Sequence, residues 1–209
     1  MKTKTKTVMA WHWAKMDLRT QHSYEPIVAG ETLTAKGDLS LCNNGMHASL
    51  CPLQALQYAP GSMLCRVELA GEVIEGDDKL CARSRMVLWI ANADNLLHEF
   101  ACLCAERALK QAKVEDKRSW AAIQAKRDWL AGKITDDELD AAGAAAGAAA
   151  WDAARAAARD AAWAAAWAAA RAAARAVAWA AARDAEAKWQ AKTMMCLIRK
   201  LPEYREDRP

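Results

Sequence analysis

A chain of 209 residues is long enough for one large domain or two small ones. Its net charge of +3 is too small for the whole-molecule field to argue for a nucleic-acid partner, and part of the basic excess is a Lys-Thr tail over residues 1–7, read as disordered. Alanine inflates the 54% of apolar residues and Phe100 is the one phenylalanine, so a core must come from Trp, Leu, Met, Ile and Val, most of which lie outside the Ala-rich stretch.

Residues 8–91 alternate and turn. Gly30, Gly37, Gly45, Pro60-Gly61, Gly71 and Gly76-Asp77 punctuate short runs, of which Met63–Leu69 and Met86–Ile90 read as strands. Cys51–Tyr58 has helical character, with Pro52 suited to a first turn. From residue 92 to 201 everything turns helical. Asp94 is the expected N-cap of a helix reaching about Lys113; a second helix runs from about Ser119 to Leu130 and stops at Gly132. Thr135-Asp136-Asp137-Glu138 has the capping-box pattern and opens a third. One helix from there to about residue 200 would be roughly 100 Å long, so a fold-back is expected near Asp160 or Asp184. Residues 202–209 form a tail. The fold class is α+β: a small mixed α/β N-terminal domain, then an all-α, Ala-rich helical domain.

No h-region or small-residue cleavage site follows the N-terminal lysines, and Arg or Asp interrupts the alanine tract every few positions. Neither a signal peptide nor a membrane span is predicted. The seven cysteines show no short-chain disulfide pattern and read as reduced thiols, most of them in the core. These features predict a soluble, cytoplasmic protein.

The Ala-rich region carries a large residue on every fourth position: Trp151, Arg155, Arg159, Trp163, Trp167, Arg171, Arg175, Trp179 and Arg183, with Gly143 and Gly147 upstream. Alanine enforces helix. A four-residue step advances the helix by about 400°, so each rung sits about 40° beyond the last and no single partner surface buries the whole ladder. Expansion of a 12-base repeat accounts for its origin, with Trp filling gaps between close-packed helices and Arg stacking on Trp at i,i+4. Functionally, Trp and Arg are the residues most enriched in binding hot spots, so Trp151 to Trp179 are the candidate partner-binding residues. Nucleic acid is disfavoured, because Asp152, Asp160, Asp184 and Glu186 offset the arginines.

Cys42, His47 and Cys51, with Cys65 as a fourth, lack the close pairs usual in structural zinc sites, and no metal is assigned. Cys102 and Cys104 lie on different faces of a helix and make a poor redox pair. His22 and His98 read as surface or core-edge residues.

Three resemblances add to this. Ala101-Cys-Leu-Cys-Ala-Glu-Arg-Ala-Leu109, Asp116-Lys-Arg-Ser-Trp-Ala-Ala-Ile123 and Trp129-Leu-Ala-Gly-Lys-Ile-Thr135 resemble the helical domain of a family of immunity proteins over about residues 96–200. That likeness implies protein binding rather than catalysis. Trp11-His12-Trp13, Cys42-Asn-Asn-Gly-Met-His-Ala-Ser49, Ala55-Leu-Gln-Tyr-Ala-Pro-Gly61, Leu64-Cys-Arg-Val-Glu68 and Asp77-Asp-Lys79 resemble an uncharacterised domain common in phages and prophages. It implies a mobile-element origin and no particular activity.

The third likeness concerns chemistry. A His-bearing strand, a Gly-x-x-x-Ser strand and a short helix ending in Tyr follow the motif order of ADP-ribosyltransferases of the diphtheria-toxin and PARP type. There the His bonds a ribose hydroxyl of NAD, the Gly backbone holds the nicotinamide amide and the Tyr stacks on its ring. By that resemblance His12, Gly45, His47 and Tyr58 would hold NAD. The chain departs from the pattern at Trp13, where a Gly normally follows, and at Ala55, where a Ser is usual; Glu68, Glu72 and Glu75 compete for the third-motif Glu.

The leading expectation is a non-enzymatic phage or prophage accessory protein without a cofactor. It would bind a host or competitor protein through its helical domain, in counter-defence or immunity. The alternative is an ADP-ribosyltransferase-like protein that uses NAD to modify a host target. A structural or assembly role, with self-association, is the third.

Overall fold

The computed structural model describes residues 7–21, 23–164 and 172–204, with the side chains of residues 153–182 left out. Two compact units result: residues through Leu97 together with those from Gln190 onward, and His98–Trp189.

In the first unit, β1 (Val8–Ala14), β2 (Thr32–Thr34), β3 (Met46–Ala48), β4 (Met63–Glu75) and β5 (Leu80–Asn92) form one antiparallel sheet, and a one-turn helix α1 (Pro52–Leu56) follows β3. The α+β class is as expected. β1, β4 and β5 lie side by side, while β2 and β3 share the other edge of β5, along Met86–Ser84 and Ala82–Leu80 respectively. The chain leaving β3 then reaches β1: Ser49 and Trp11 exchange two backbone hydrogen bonds of 2.8 and 2.9 Å. This link curls the sheet around its inner face.

Period-two alternation explains the packing. Ala10 and Ala14 of β1 join Cys65, Val67, Leu69, Leu80, Ala82 and Val87 in one buried cluster. Trp11 points to the other face, in register with Arg66 and Trp89. There Trp11 and Trp89 meet edge to face at 5.7 Å, the Arg66 guanidinium lies 4.5 Å over Trp11, and Tyr204 abuts Trp89 at 6.3 Å. Both long strands outrun the runs read from sequence. Gly71 does not end β4 but sits in a bulge at φ +83°, where a Cβ would stand 2.8 Å from that of Arg83.

The helices are α2 (Asp94–Gln111), α3 (Lys117–Leu130), α4 (Asp136–Ala164) and α5 (Ala172–Ile198). Asp94 is not the cap of α2 but its first residue; the Asn92 side chain accepts the Asp94 N–H at 3.0 Å instead. Asp116 caps α3 by accepting from the Arg118 N–H and forks onto the Arg118 guanidinium, which gives the Asp-x-Arg motif a local structural reason. Gly132, at φ +67°, ends α3. The Thr135–Glu138 capping box forms in both directions, with bonds of 2.8 and 3.3 Å.

Helix continues through both Asp160 and Asp184, so the chain does not turn at either; residues 165–171, between α4 and α5, lie outside the described residues. Alanine at three positions in four leaves no breaker at those aspartates. The end of α5, from Gln190 onward, falls in the first compact unit. Its fully buried Met194 and Ile198 belong with the sheet. No described helix is long and apolar enough to cross a membrane.

Candidate functional site

The inner face of the sheet, the loop around residues 19–25 and the segment leading into β3 enclose a cavity of 770 Å³. That size suits a small-molecule ligand, for which about 300–1,000 Å³ is usual. His12, Gly45, His47 and Tyr58, drawn from three separate stretches of the chain, all line it.

β1 delivers His12. Its neighbours Trp11 and Trp13 are almost wholly buried, and the Trp13 Nε1–H bonds the Pro52 carbonyl at 3.0 Å, which fixes the strand against α1. His12 itself is half-buried because it faces the cavity. Desolvation, then the Arg85 charge, then His47 hold its pKa well below the ordinary value of 6.5, so it is neutral at pH 7.

Gly45 sits at φ +137° in the segment before β3. A Cβ there would lie 2.2 Å from Cys81 Sγ and 3.1 Å from Leu39, so the position admits only glycine. The close approach lets backbone form the wall. Two residues on, His47 Nε2 accepts the Cys42 N–H at 3.2 Å, which places the neutral ring's proton on Nδ1. The backbone carbonyl of His47 accepts from Arg85 Nη1 at 2.7 Å.

Tyr58, just past α1, is half exposed. Its hydroxyl donates to Asp78 at 2.6 Å, and the Lys79 ammonium stands 4.2 Å from the ring centroid. The bond to Asp78 keeps the phenol's pKa above its usual value, and a hydrogen bond to Cys42 does the same for Lys79.

Arg85 is the residue that the sequence reading missed. It is 4% exposed, lines the cavity and carries its charge at neutral pH, although burial brings its pKa down to about 10. Cys65, beside it, is pushed up to about 11 by burial and stays a neutral thiol. The one available signal was an arginine embedded in the apolar run of β5, which equally suits a solvated strand face.

The catalytic part of the resemblance is not assembled. None of Glu68, Glu72 and Glu75 lines the cavity, and Glu72 is occupied by Arg83 at 3.1 Å. The carboxylate that does line it is Glu25, exposed and bonded by the Ser23 hydroxyl at 3.1 Å. Ala55 stands in the wall with no hydroxyl to offer.

Of the expected partner-binding ladder, Trp151 is described and is 70% exposed on α4. Trp167 and Arg171, and the side chains of Arg155, Arg159, Trp163, Arg175 and Trp179, lie outside the described residues, as does His22. His98 is half-buried and meets the Trp129 ring edge to face at 5.9 Å. Among the described residues no group of His, Cys, Asp and Glu could hold a metal ion, and the seven cysteines are free thiols.

No curated protein and no solved structure matches the chain. Residues 8–99, which hold β1 to β5 and the start of α2, match the family model described as a domain of unknown function, DUF7666.

Proposed function

We propose that the α+β unit binds an NAD-type nucleotide in its inner cavity and does not transfer the ADP-ribose. The carrying observation is convergence: His12, Gly45, His47 and Tyr58 surround a single ligand-sized space. The charged residues lining it are Arg19, Lys36, Lys79 and Arg85 against Glu25, which favours an anionic ligand. Two neutral imidazoles and the tight Gly45 backbone suit a ribose and a planar amide. None of Glu68, Glu72 and Glu75 lines the cavity, and the carboxylate that does, Glu25, is exposed and bonded by Ser23, so the glutamate that the resemblance needs for transfer is not at the site.

Calorimetric titration with NAD and ADP-ribose, paired with intact-protein mass after incubation with NAD and host lysate, tests both halves. The expected result is binding that His12→Gln and Tyr58→Ala each weaken about tenfold or more, with no adduct on any protein. Folded protein that binds neither ligand sinks the reading, and an adduct lost in both variants would replace binding with transfer.

A second reading, capture of a host or competitor protein by a mobile-element accessory protein, is favoured by the exposed Trp151. A large aromatic standing in solvent at the head of the Trp/Arg ladder is a hot-spot residue awaiting a surface. Affinity enrichment from host lysate, compared between wild type and Trp151→Ala, tests it. A partner retained equally by both excludes Trp151.

A further inference from the structure

We propose that Arg85 is the anchor for a phosphate group of the cavity's ligand, the buried guanidinium serving as a built-in counter-ion site in the pocket wall. This rests on the reading of the cavity as a nucleotide site, and it assigns a buried charged group that the motif resemblance leaves without a role.

A guanidinium has five N–H donors and a permanent charge. Among the described residues Arg85 makes one hydrogen bond, from Nη1 to the carbonyl of His47, and its Nε finds no acceptor. Among the described residues no carboxylate pairs with it; Cys65 is the neighbour that acts on its charge, and that thiol is neutral. Burying an ion without a partner is costly, and proteins rarely hold one idle. The other arginine of this strand shows the contrast: Arg83 has Glu72 and the carbonyls of Ala35 and Gly37.

His12, held well below its ordinary pKa, adds no repelling cation at pH 7, and the His47 ring accepts the Cys42 N–H at Nε2. A phosphate is an oxyanion whose geometry matches the guanidinium fork and whose charge offsets the buried one. Lys36 and Arg19 line the same cavity and add to its positive charge.

Wild type, Arg85→Met and Arg85→Lys would be titrated with NAD, inorganic pyrophosphate and nicotinamide riboside, and their ligand-free melting temperatures compared. In Arg85→Met, NAD and pyrophosphate should weaken roughly 30-fold or more, the range for removing one partner of a buried charge pair. Nicotinamide riboside, which lacks phosphate, should bind as before. Arg85→Lys keeps the charge but loses the fork and should fall between; it carries the test if Arg85→Met does not fold. Ligand-free Arg85→Met should melt no lower than wild type, since it removes an uncompensated ion.

Unchanged NAD binding in Arg85→Met, or riboside weakened as much as NAD, overturns the phosphate anchor and leaves the nucleotide reading standing. Pyrophosphate bound through Arg85 without any NAD binding supports the anchor and overturns the nucleotide reading. A wild-type protein that binds none of the three overturns both.

Discussion

The sheet unit and the helical unit are built on different physics. Among the described residues, all of the largest fully buried side chains, such as Trp13, Leu64, Leu69, Val67, Met194 and Ile198, belong to the sheet unit. Its hydrogen bonds join residues far apart in sequence, as between Trp11 and Ser49. In the helical unit the described buried residues are the small or medium Cys102, Ile123 and Ala149. Order there comes from alanine propensity, caps and ion pairs: Arg127 with Glu99 and Glu106, Arg107 with Glu186 and stacked 4.4 Å over Trp189, and Arg118 with Asp116 and Asp152. Such pairs each contribute little near solvent. A precise cavity needs the first kind of construction, and a regular surface for display needs only the second.

Two tryptophans put this to its severest test. Trp13 is 1% exposed and bonded to Pro52, so Trp13→Ala should cost about 3–5 kcal/mol by denaturant unfolding. Trp151 stands in solvent, and Trp151→Ala should change stability by about 0.5 kcal/mol or less. Comparable losses in both would show that the helical unit hides a core of its own. Gly45→Ala comes next: the left-handed φ and the buried Cys81 Sγ leave the new methyl nowhere to go, for a loss of roughly 2–4 kcal/mol.

Acid separates the units further. His12 would titrate near 6.5 in the unfolded chain but takes up its proton only at lower pH when folded, because burial, Arg85 and His47 all oppose the charge. Below 6.5 the unfolded chain therefore binds more protons. The contribution of neutral His12 is fully present above that pH and is lost as pH falls through the depressed value. The carboxylates Glu106, Asp116, Asp128 and Glu138 are held below their usual range by partners in the helical unit, and so lose their contribution only in stronger acid. Melting temperature should start to drop just below pH 6.5 in wild type and stay flat there in His12→Gln. An unchanged pH profile in the variant would remove His12 from the account.

What could be read from sequence follows the same division. Helix caps are local, so the Thr135–Glu138 box and the Gly132 stop were legible; α1 and the two long strands showed through composition and alternation. β2 and β3 have three residues each, too few for any period, and they exist because β5 offers them an edge. α2 begins one residue earlier than expected, at Asp94, and the Asn92 side chain takes the Asp94 N–H. Resemblance brought His12, Gly45, His47 and Tyr58 to one pocket's walls, whereas Arg85 was invisible: Arg83 and Arg85 look alike in the chain, and only the fold buries one and pairs the other with Glu72.

The mildest prediction reverses the sign of the glycine effect. Gly143 and Gly147 lie exposed within α4, and a Cβ added to either meets nothing within 4 Å. Glycine in a helix interior costs roughly 0.5–1 kcal/mol relative to alanine, so Gly143→Ala and Gly147→Ala should each stabilise the helical unit by about that amount. Additivity in the double variant follows if the two sites share no partner. The substitution that wrecks the cavity wall at Gly45 thus tightens α4, because one glycine is demanded by tertiary contact and the others interrupt an alanine repeat. Destabilisation at 143 or 147 would mean that a surface closes on this face of α4 near enough to exclude a methyl group.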